Sequence, residues 1–342
     1  MHRVYVGVDL GSSGFQQVGV NEPGMVVMKR EFQTSAAHLV KAFSGLKGEI
    51  HVHLEAGELA PWAASIIRPL VHRVVCSHPQ TNAWIAKDAD KCDQIDAYKL
   101  ADLLRLNRFK EVHYPQEQSR REFKALVQHY DELTQQQARL KTKIKARLRM
   151  QGVIVRGEQP FSGTGRKAVL AAVKSVAVRT AISQLYAVLD QSLESQTEAR
   201  LLMRRAAQAF PEIRIFETAP GVGPIGACRF SAYIHAPQRF RSTRKLWKYC
   251  RLSVSHRSSN GKPLRRPRLD RNGCGRLKDV SRKAFEAALR RKDNNGFQRA
   301  YYRALAETHD ATHARLTVQR KIVSTLRAMW INETPYDDQL MR

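Results

Sequence analysis

From Val4 to about Arg108 the apolar positions come in short runs rather than long stripes. Val4–Val8 is an apolar run that ends at Asp9, and Gln17–Val20 and Met25–Phe32 read as two further extended segments, so a three-stranded meander is expected. A helix through Ala36–Leu46 follows, then a strand Ile50–Leu54 that delivers Glu55, a helix after Pro61 and a strand His72–Cys76. From Asp93 through Leu106 the apolar residues Ile95, Tyr98, Leu100, Leu103, Leu104 and Leu106 recur closer to helical than to alternating spacing.

The order βββαβαβα is that of a ribonuclease-H-like fold. Between about Gln116 and Phe210 the texture changes to long helices. Phe123, Leu126, Val127, Tyr130, Leu133, Leu140, Ile144 and Leu148 mark one apolar stripe in a field of Gln, Lys and Arg. A break at Gly152–Gly165 separates it from a second helical run, Ala168 to about Ala209. Such a pair predicts either a coiled coil that dimerises or an intramolecular helical arm. The last segment opens with FETAPGVGPIGA, passes through a stretch dense in Arg and Lys, and finishes with a helical RKIVSTLRAMW. It reads as mostly helical with one loop-rich basic insertion, in which Asn260–Gly261 and Asn272–Gly273 are strong turn signals.

Charge narrows the partners. Lys and Arg number 58 against 31 Asp and Glu, a formal net charge of +27. The isoelectric point near 10.3 lies above the ~9 that marks an electrostatic footprint for nucleic acid. The bland alternatives are a solubilising excess of charge, or an RNA binder without chemistry. No run of about 18 apolar residues exists to span a membrane, and MHRVYVGVDLG lacks the look of a secretory signal. Five scattered cysteines, Cys76, Cys92, Cys228, Cys250 and Cys274, form no CxxC pair, which fits a reducing cytoplasm and argues against a disulfide framework or structural zinc.

Against this basic background four carboxylates stand out. Asp9 and Glu55 each end an apolar strand, and adjacent strand ends can bring two carboxylates within reach of one cation. Asp93 and Asp96 are spaced i, i+3 and share a face of a helix. Four such groups in one cleft would repel one another unless a divalent cation neutralised them, as in two-metal phosphoryl transfer with ions about 3.5–4 Å apart. The blander reading of Asp93 and Asp96 is a charge pair favoured by the helix dipole. Asp88, Asp90 and Asp102 compete, Asp102 reading as a solvated helix position.

Gly221, Gly223 and Gly226 fit G-x-G-x-x-G by letter, but FETA is a poor strand and the sequence downstream is basic rather than acidic. A tight turn that offers backbone N–H groups to a DNA or RNA phosphate, or a turn without any ligand, fits better. Ser258 and Ser259 sit in a basic loop with Gly261, where a serine usually caps or contacts phosphate. His309 and His313 are spaced i, i+4 with nothing nearby to complete a metal site, and read as a solvated helix face.

Taken together, VGVDLG, HLEAG, the K-x-D-x-x-D-A pair in KCDQIDA, PGVGP, RFRSTRKLWKY, LDRNGCGRLK and RKIVSTLRAMW resemble, in order and spacing, the DEDD insertion-sequence transposases of family one-ten, over nearly the whole chain. Members of that family are bridge-RNA-guided serine recombinases. The resemblance implies an α/β plus all-α chain: an RuvC-like, ribonuclease-H-like DEDD domain over 1–115, a coiled-coil oligomerisation region over 116–212, and a mostly helical transposase domain with a catalytic serine over 213–342. The family's serine follows a G-L-x-P element, where this chain has R-L-S-V, and Asn260 stands where glycine is usual. Counting from Leu252 puts Ser259 on the nucleophile, with Ser258 the fallback.

The expectation is therefore strand exchange in which Asp9, Glu55, Asp93 and Asp96 bind Mg²⁺ and Ser259 attacks the scissile phosphate. Gly221, Gly223, Arg241, Arg244, Lys245, Lys262, Arg265, Arg266 and Arg271 are the candidate nucleic-acid contacts. By the resemblance, the partners are donor and target DNA, a non-coding bridge RNA and further copies of the chain, a dimer or a tetramer in synapsis, with the serine of one subunit completing the metal site of another. The setting would be the bacterial cytoplasm, on nucleoid DNA. The alternatives are a metal-dependent junction nuclease that activates water, an actin-like kinase suggested by D-L-G-S-S-G, and a non-catalytic RNA binder. The kinase would need a second phosphate loop and an adenosine motif, and the sequence shows neither.

Overall fold

The computed structural model describes residues 2–79, 93–115, 117–255, 258–260, 262–263 and 268–340. The chain divides into two compact units, Met1–Gln116 and Glu117–Arg342. In the first, strands β1 (Arg3–Leu10), β2 (Gly14–Val20) and β3 (Val26–Gln33) precede helix α1 (Ala36–Phe43). Strand β4 (Glu49–Glu55), helix α2 (Ala60–Ile67), strand β5 (Arg73–Ser77) and helix α3 (Asp93–Arg105) complete it. The sheet order is β3-β2-β1-β4-β5, with the meander antiparallel and β1, β4 and β5 parallel, the mixed sheet of a ribonuclease-H-like domain.

Alternation along β1 and β4 decides which helix meets which face. Val6, Val8, Ile50, Val52 and Leu54 pack with Leu39 and Phe43 of α1 and with Ala60, Ala64 and Ile67 of α2. The opposite face, to which Gly7 contributes, receives α3. Ser35 starts α1 by accepting a hydrogen bond from the His38 amide. The helix stops at Phe43 rather than running on to Leu46, because Ser44 turns its hydroxyl back onto the Val40 carbonyl and a glycine follows.

In the second unit, α4 (Gln118–Met150), α5 (Gly163–Ala172) and α6 (Val176–Ala206) form a helical arm. The run expected to continue from Ala168 to Ala209 is broken after Ala172, where Ser175 begins a new helix by accepting from the Val178 amide. The arm buries its stripe within one chain: Ile144, Leu148, Val169, Val173, Ile182, Tyr186 and Leu189 form one cluster. At the other end Phe123 and Val127 of α4 and Met203 of α6 join a larger core built with the C-terminal part of the chain. That part comprises α7 (Pro211–Glu217), α8 (Pro224–Ile234), α9 (Thr243–Tyr249), β6 (Val254–Ser255), β7 (Ser258–Ser259), β8 (Lys262–Pro263), β9 (Arg268–Leu269), α10 (Gly275–Arg290), α11 (Gly296–Thr308) and α12 (Ala311–Asn332). Phe216, Phe230, Phe297, Val318, Ile322 and Leu326 are the centre of this core. The 116–212 and 213–342 stretches thus share it. The basic insertion, expected as loop, pairs β6 with β9 and β7 with β8, both antiparallel. Among the described residues no helix is long and apolar enough to cross a membrane.

Candidate functional site

Parallel pairing of β1 with β4 runs in register to Val8 opposite Leu54, so Asp9 and Glu55 leave the two strands side by side at their C-terminal ends. Strand alternation puts Asp9 on the face of Gly7, and Glu55 on the face of His53. Gly7 and His53 are themselves register partners beneath α3. Asp93 and Asp96 occupy the first turn of α3. What lets this helix lie so close is Gly7, since a methyl group there would come within 1.9 Å of the Ala97 carbonyl oxygen. A small residue on β1 thereby brings two helical carboxylates to the strand end that carries Asp9.

His53 locks the arrangement from below. It is fully buried, and its Nδ1–H donates to the Leu100 carbonyl of α3 while Nε2 accepts from the Ser77 hydroxyl of β5, both at 2.7 Å. Burial pushes its pKa down to about 4, so the ring is neutral at physiological pH.

Asp9 is pushed the other way, up to about 6. Burial is the largest cause, followed by the charges of Asp93, Asp96 and Glu55. Two polar atoms nearby find no partner among the described residues: Asp96 Oδ1 and Gln16 Oε1 are buried and accept no hydrogen bond from them, Gln16 being the β2 residue paired with Asp9. The Lys99 ammonium is 3.9 Å from that Asp96 oxygen, beyond hydrogen-bonding range. An excess of hard oxygen acceptors, two of them orphaned, and one carboxyl tending to hold its proton fit a divalent cation such as Mg²⁺ in donor chemistry. Among the described residues, however, no three His, Cys, Asp or Glu side chains stand close enough to ligate one ion, so the acidic groups sense one another by charge rather than as a closed cage. Asp88 and Asp90 lie outside the described residues, and Asp102 is held in an ion pair with Arg105 at 2.6 Å.

In the second unit Ser258 and Ser259 form β7, with Ser259 opposite Lys262 in β8. The ribbon turns at Asn260, whose φ of +50° is the left-handed conformation that Asn tolerates in a two-residue hairpin turn. Gly221, also left-handed at φ +79°, serves close packing: a methyl group there would meet the Ala284 carbonyl of α10 at 2.1 Å. Gly223 is the N-cap of α8 with open space beside it. The preceding FETA belongs to helix α7 and its exit, so the strand that a dinucleotide site requires is not there. Arg241, Arg244, Lys245 and Arg271 are exposed. Arg265, Arg266 and the Lys262 side chain lie outside the described residues. His309 and His313 do not share a helix face, because His309 ends α11 in a left-handed conformation and His313 lies in the first turn of α12.

Sequence reasoning passed over Gln16 and His53. The one available signal was His53 lying two residues before Glu55, on its face of the strand.

Two family models match the chain. One, DEDD_Tnp_IS110, is described as a transposase and matches residues 6–151; the other, described as the transposase IS116/IS110/IS902 family, matches residues 213–303. No curated protein matches it.

Proposed function

The chain belongs to the IS110 family of transposases, enzymes that cut and rearrange DNA, and we propose that it exchanges strands by transesterification on a serine, assisted by a divalent cation held at the acidic quartet. The observation that carries this reading is the convergence of charge from Asp93, Asp96 and Glu55 on a half-buried Asp9. A Mg²⁺ held by Asp9, Glu55, Asp93 and Asp96 would supply Lewis-acid stabilisation of the charge that develops on the phosphoryl oxygens. Asp9 and Glu55 at the strand ends and Asp93 and Asp96 on α3 are the residues that would hold and orient it. His53 and Gly7 keep α3 against the sheet so that the two pairs of carboxylates stay together.

Ser259 Oγ attacks the scissile phosphorus. A Ser–O–P bond forms, the phosphorus–oxygen bond to the leaving strand breaks, and the serine proton leaves with the departing oxygen or with solvent. The phosphoester count is unchanged, so the adduct can be resolved by a second strand hydroxyl without an energy source. Exposed cations at Arg241, Arg244, Lys245 and Arg271 position phosphates and make binding steeply salt-dependent. Base selection comes from a guide RNA paired with the DNA. The helical arm of α4–α6 contributes to assembly of the oligomer, in which the serine of one subunit meets the carboxylates of another.

The test is to trap the protein–DNA adduct on a synaptic or nicked substrate with wild-type protein, Ser259→Ala and Ser258→Ala. Loss of adduct in Ser259→Ala alone is the expected result, and an adduct that survives it overturns the nucleophile. Cleaved ends without attached protein would assign the attack to water.

A further inference from the structure

Beside the β6–β9 pair and the start of α10 is a cavity of about 510 Å³ lined by Arg251, Arg268, Arg271, Lys278, Asp270 and Gly275. Four cationic side chains therefore face one space, against a single carboxylate. Asp270 has its own cation outside that set, the Lys248 ammonium at 3.9 Å. Among the described residues none of the four is in an ion pair, in a chain where many other arginines are: Arg105, Arg120, Arg166, Arg229, Arg282, Arg291 and Arg299 each have a carboxylate.

The position of Arg251 is held by the fold. Its backbone is left-handed, at φ +56°, and its Nε donates to the Gly273 carbonyl at 2.8 Å. This carries the far end of the guanidinium over Gly275, where an added methyl would lie 3.1 Å from one terminal nitrogen. Gly275 is the first residue of α10, a helix of 16 residues with no acidic side chain in its first turn and no side-chain cap. A guanidinium resting on the positive end of an uncapped helix, with three more cations across the cavity, is unfavourable unless an anion lies among them. Arg268 joins the pocket to the β6–β9 pair, where it lies in register with Ser255, four residues before Ser259 in the chain.

We propose that this cavity is a phosphate pocket, which seats a phosphodiester of the DNA strand that the Ser258–Ser259 ribbon engages. The inference rests on the strand-exchange reading above for the identity of the strand, and on the cavity alone for its preference for phosphate. Arg251 and Arg268 offer planar forks that suit two phosphate oxygens, and Lys278 adds a point charge on the adjoining turn of α10.

The experiment is a salt titration of full-length protein on a fluorescent nicked DNA duplex and on single-stranded RNA of matching sequence. It compares wild type with Lys278→Gln, Arg251→Gln and the charge-retaining Lys278→Arg. Each neutralising change is expected to weaken DNA binding about tenfold and to lower the slope of log affinity against log salt by about 1, as loss of one phosphate contact does. Lys278→Arg should bind as wild type does, and RNA binding should be unchanged. Because Arg251 also bridges to Gly273, thermal melting accompanies each variant, and Lys278→Gln, whose side chain has no ion-pair partner among the described residues, decides if Arg251→Gln fails to fold. Unchanged DNA affinity and slope in Lys278→Gln overturn the pocket. So does an equal fall on DNA and RNA, which would mark a general polyanion surface, or a fall on RNA alone. Adduct formation by the wild type is scored separately: a pocket that passes beside an absent adduct removes the serine chemistry, and an adduct beside an unaffected slope removes the pocket.

Discussion

Gly7 of β1 lies directly under Ala97 of α3, so close that a methyl group on Gly7 would stand 1.9 Å from the Ala97 carbonyl oxygen and 2.6 Å from the Ala101 amide nitrogen. No side-chain movement can relieve a clash with helix backbone. Gly7→Ala must therefore push α3 off the sheet, which overpacking of this kind makes cost about 1–3 kcal/mol. Gly45→Ala, into open space, is the control and should be near neutral. Chemical denaturation of the two variants compares them directly. Equal stabilities would mean that the sheet and helix are not held at this separation.

Asp9 and His53 bend the stability curve in opposite directions over the same pH range. The folded Asp9 carboxyl, raised to about 6, keeps a proton that the unfolded chain has lost, so its contribution falls as pH rises between about 4 and 6. The folded His53 ring, lowered to about 4, refuses a proton that the unfolded chain accepts, so stability is lost as pH falls from about 6.5 to 4. In metal-free protein Asp9→Asn should leave a profile that declines toward acid, and His53→Gln one that declines less or rises. At full shift each could approach about 3 kcal/mol, with Asp9 well below that because it is only half-buried. Parallel profiles from melting at several pH values would defeat the assignment.

Divalent binding should show in stability before it shows in catalysis. An ion at a hundred times its dissociation constant adds about 2.7 kcal/mol to the folded state, read as a rise in melting temperature with Mg²⁺ or Mn²⁺. The rise should disappear in Asp9→Asn and in Asp96→Asn, which removes the orphaned Oδ1 charge. It should also shrink below pH 6, where Asp9 takes up its proton. A rise of the same size in both variants would place the ion elsewhere.

Asp131 is a buried polar junction of the second unit. It is 1% exposed, accepts from Arg229 Nε at 2.7 Å and from the Tyr233 hydroxyl at 2.9 Å, and lies 3.4 Å from Arg276 Nε. These contacts tie α4 to α8 and to the start of α10. Asp131→Leu leaves the buried Arg229 with Asp279 as its one remaining carboxylate among the described residues, 3.6 Å away and partly solvated, and should cost about 3–5 kcal/mol. Urea denaturation followed on the helical signal would measure it, and a loss below about 1 kcal/mol would show that water enters and screens the network.

Much of the acidic site was legible because its parts follow from local periodicity. Short apolar runs that end in Asp9 and Glu55 place those carboxylates at strand ends, and the i, i+3 spacing of Asp93 and Asp96 places them on one helix face. The break at Val173–Ser175 was not legible, since a capping serine inside an otherwise helical run decides it. Nor was the pairing of β6 with β9, whose two-residue strands carry too little pattern to register. His53 looks like any histidine in a strand until Leu100 and Ser77 are found around its ring.

Composition and spacing by themselves determined that this chain is strongly basic, that its first part mixes strands with helices, and that four carboxylates stand at element ends, because charge and periodicity are properties of the covalent chain. Tertiary structure alone decided that α3 lies across β1 at Gly7, that Asp9 feels three other carboxylates, and that Arg251, Arg268, Arg271 and Lys278 among so many cations share a cavity. Convergence of this kind depends on which faces pack together, and residues far apart in the chain carry no periodic trace of it.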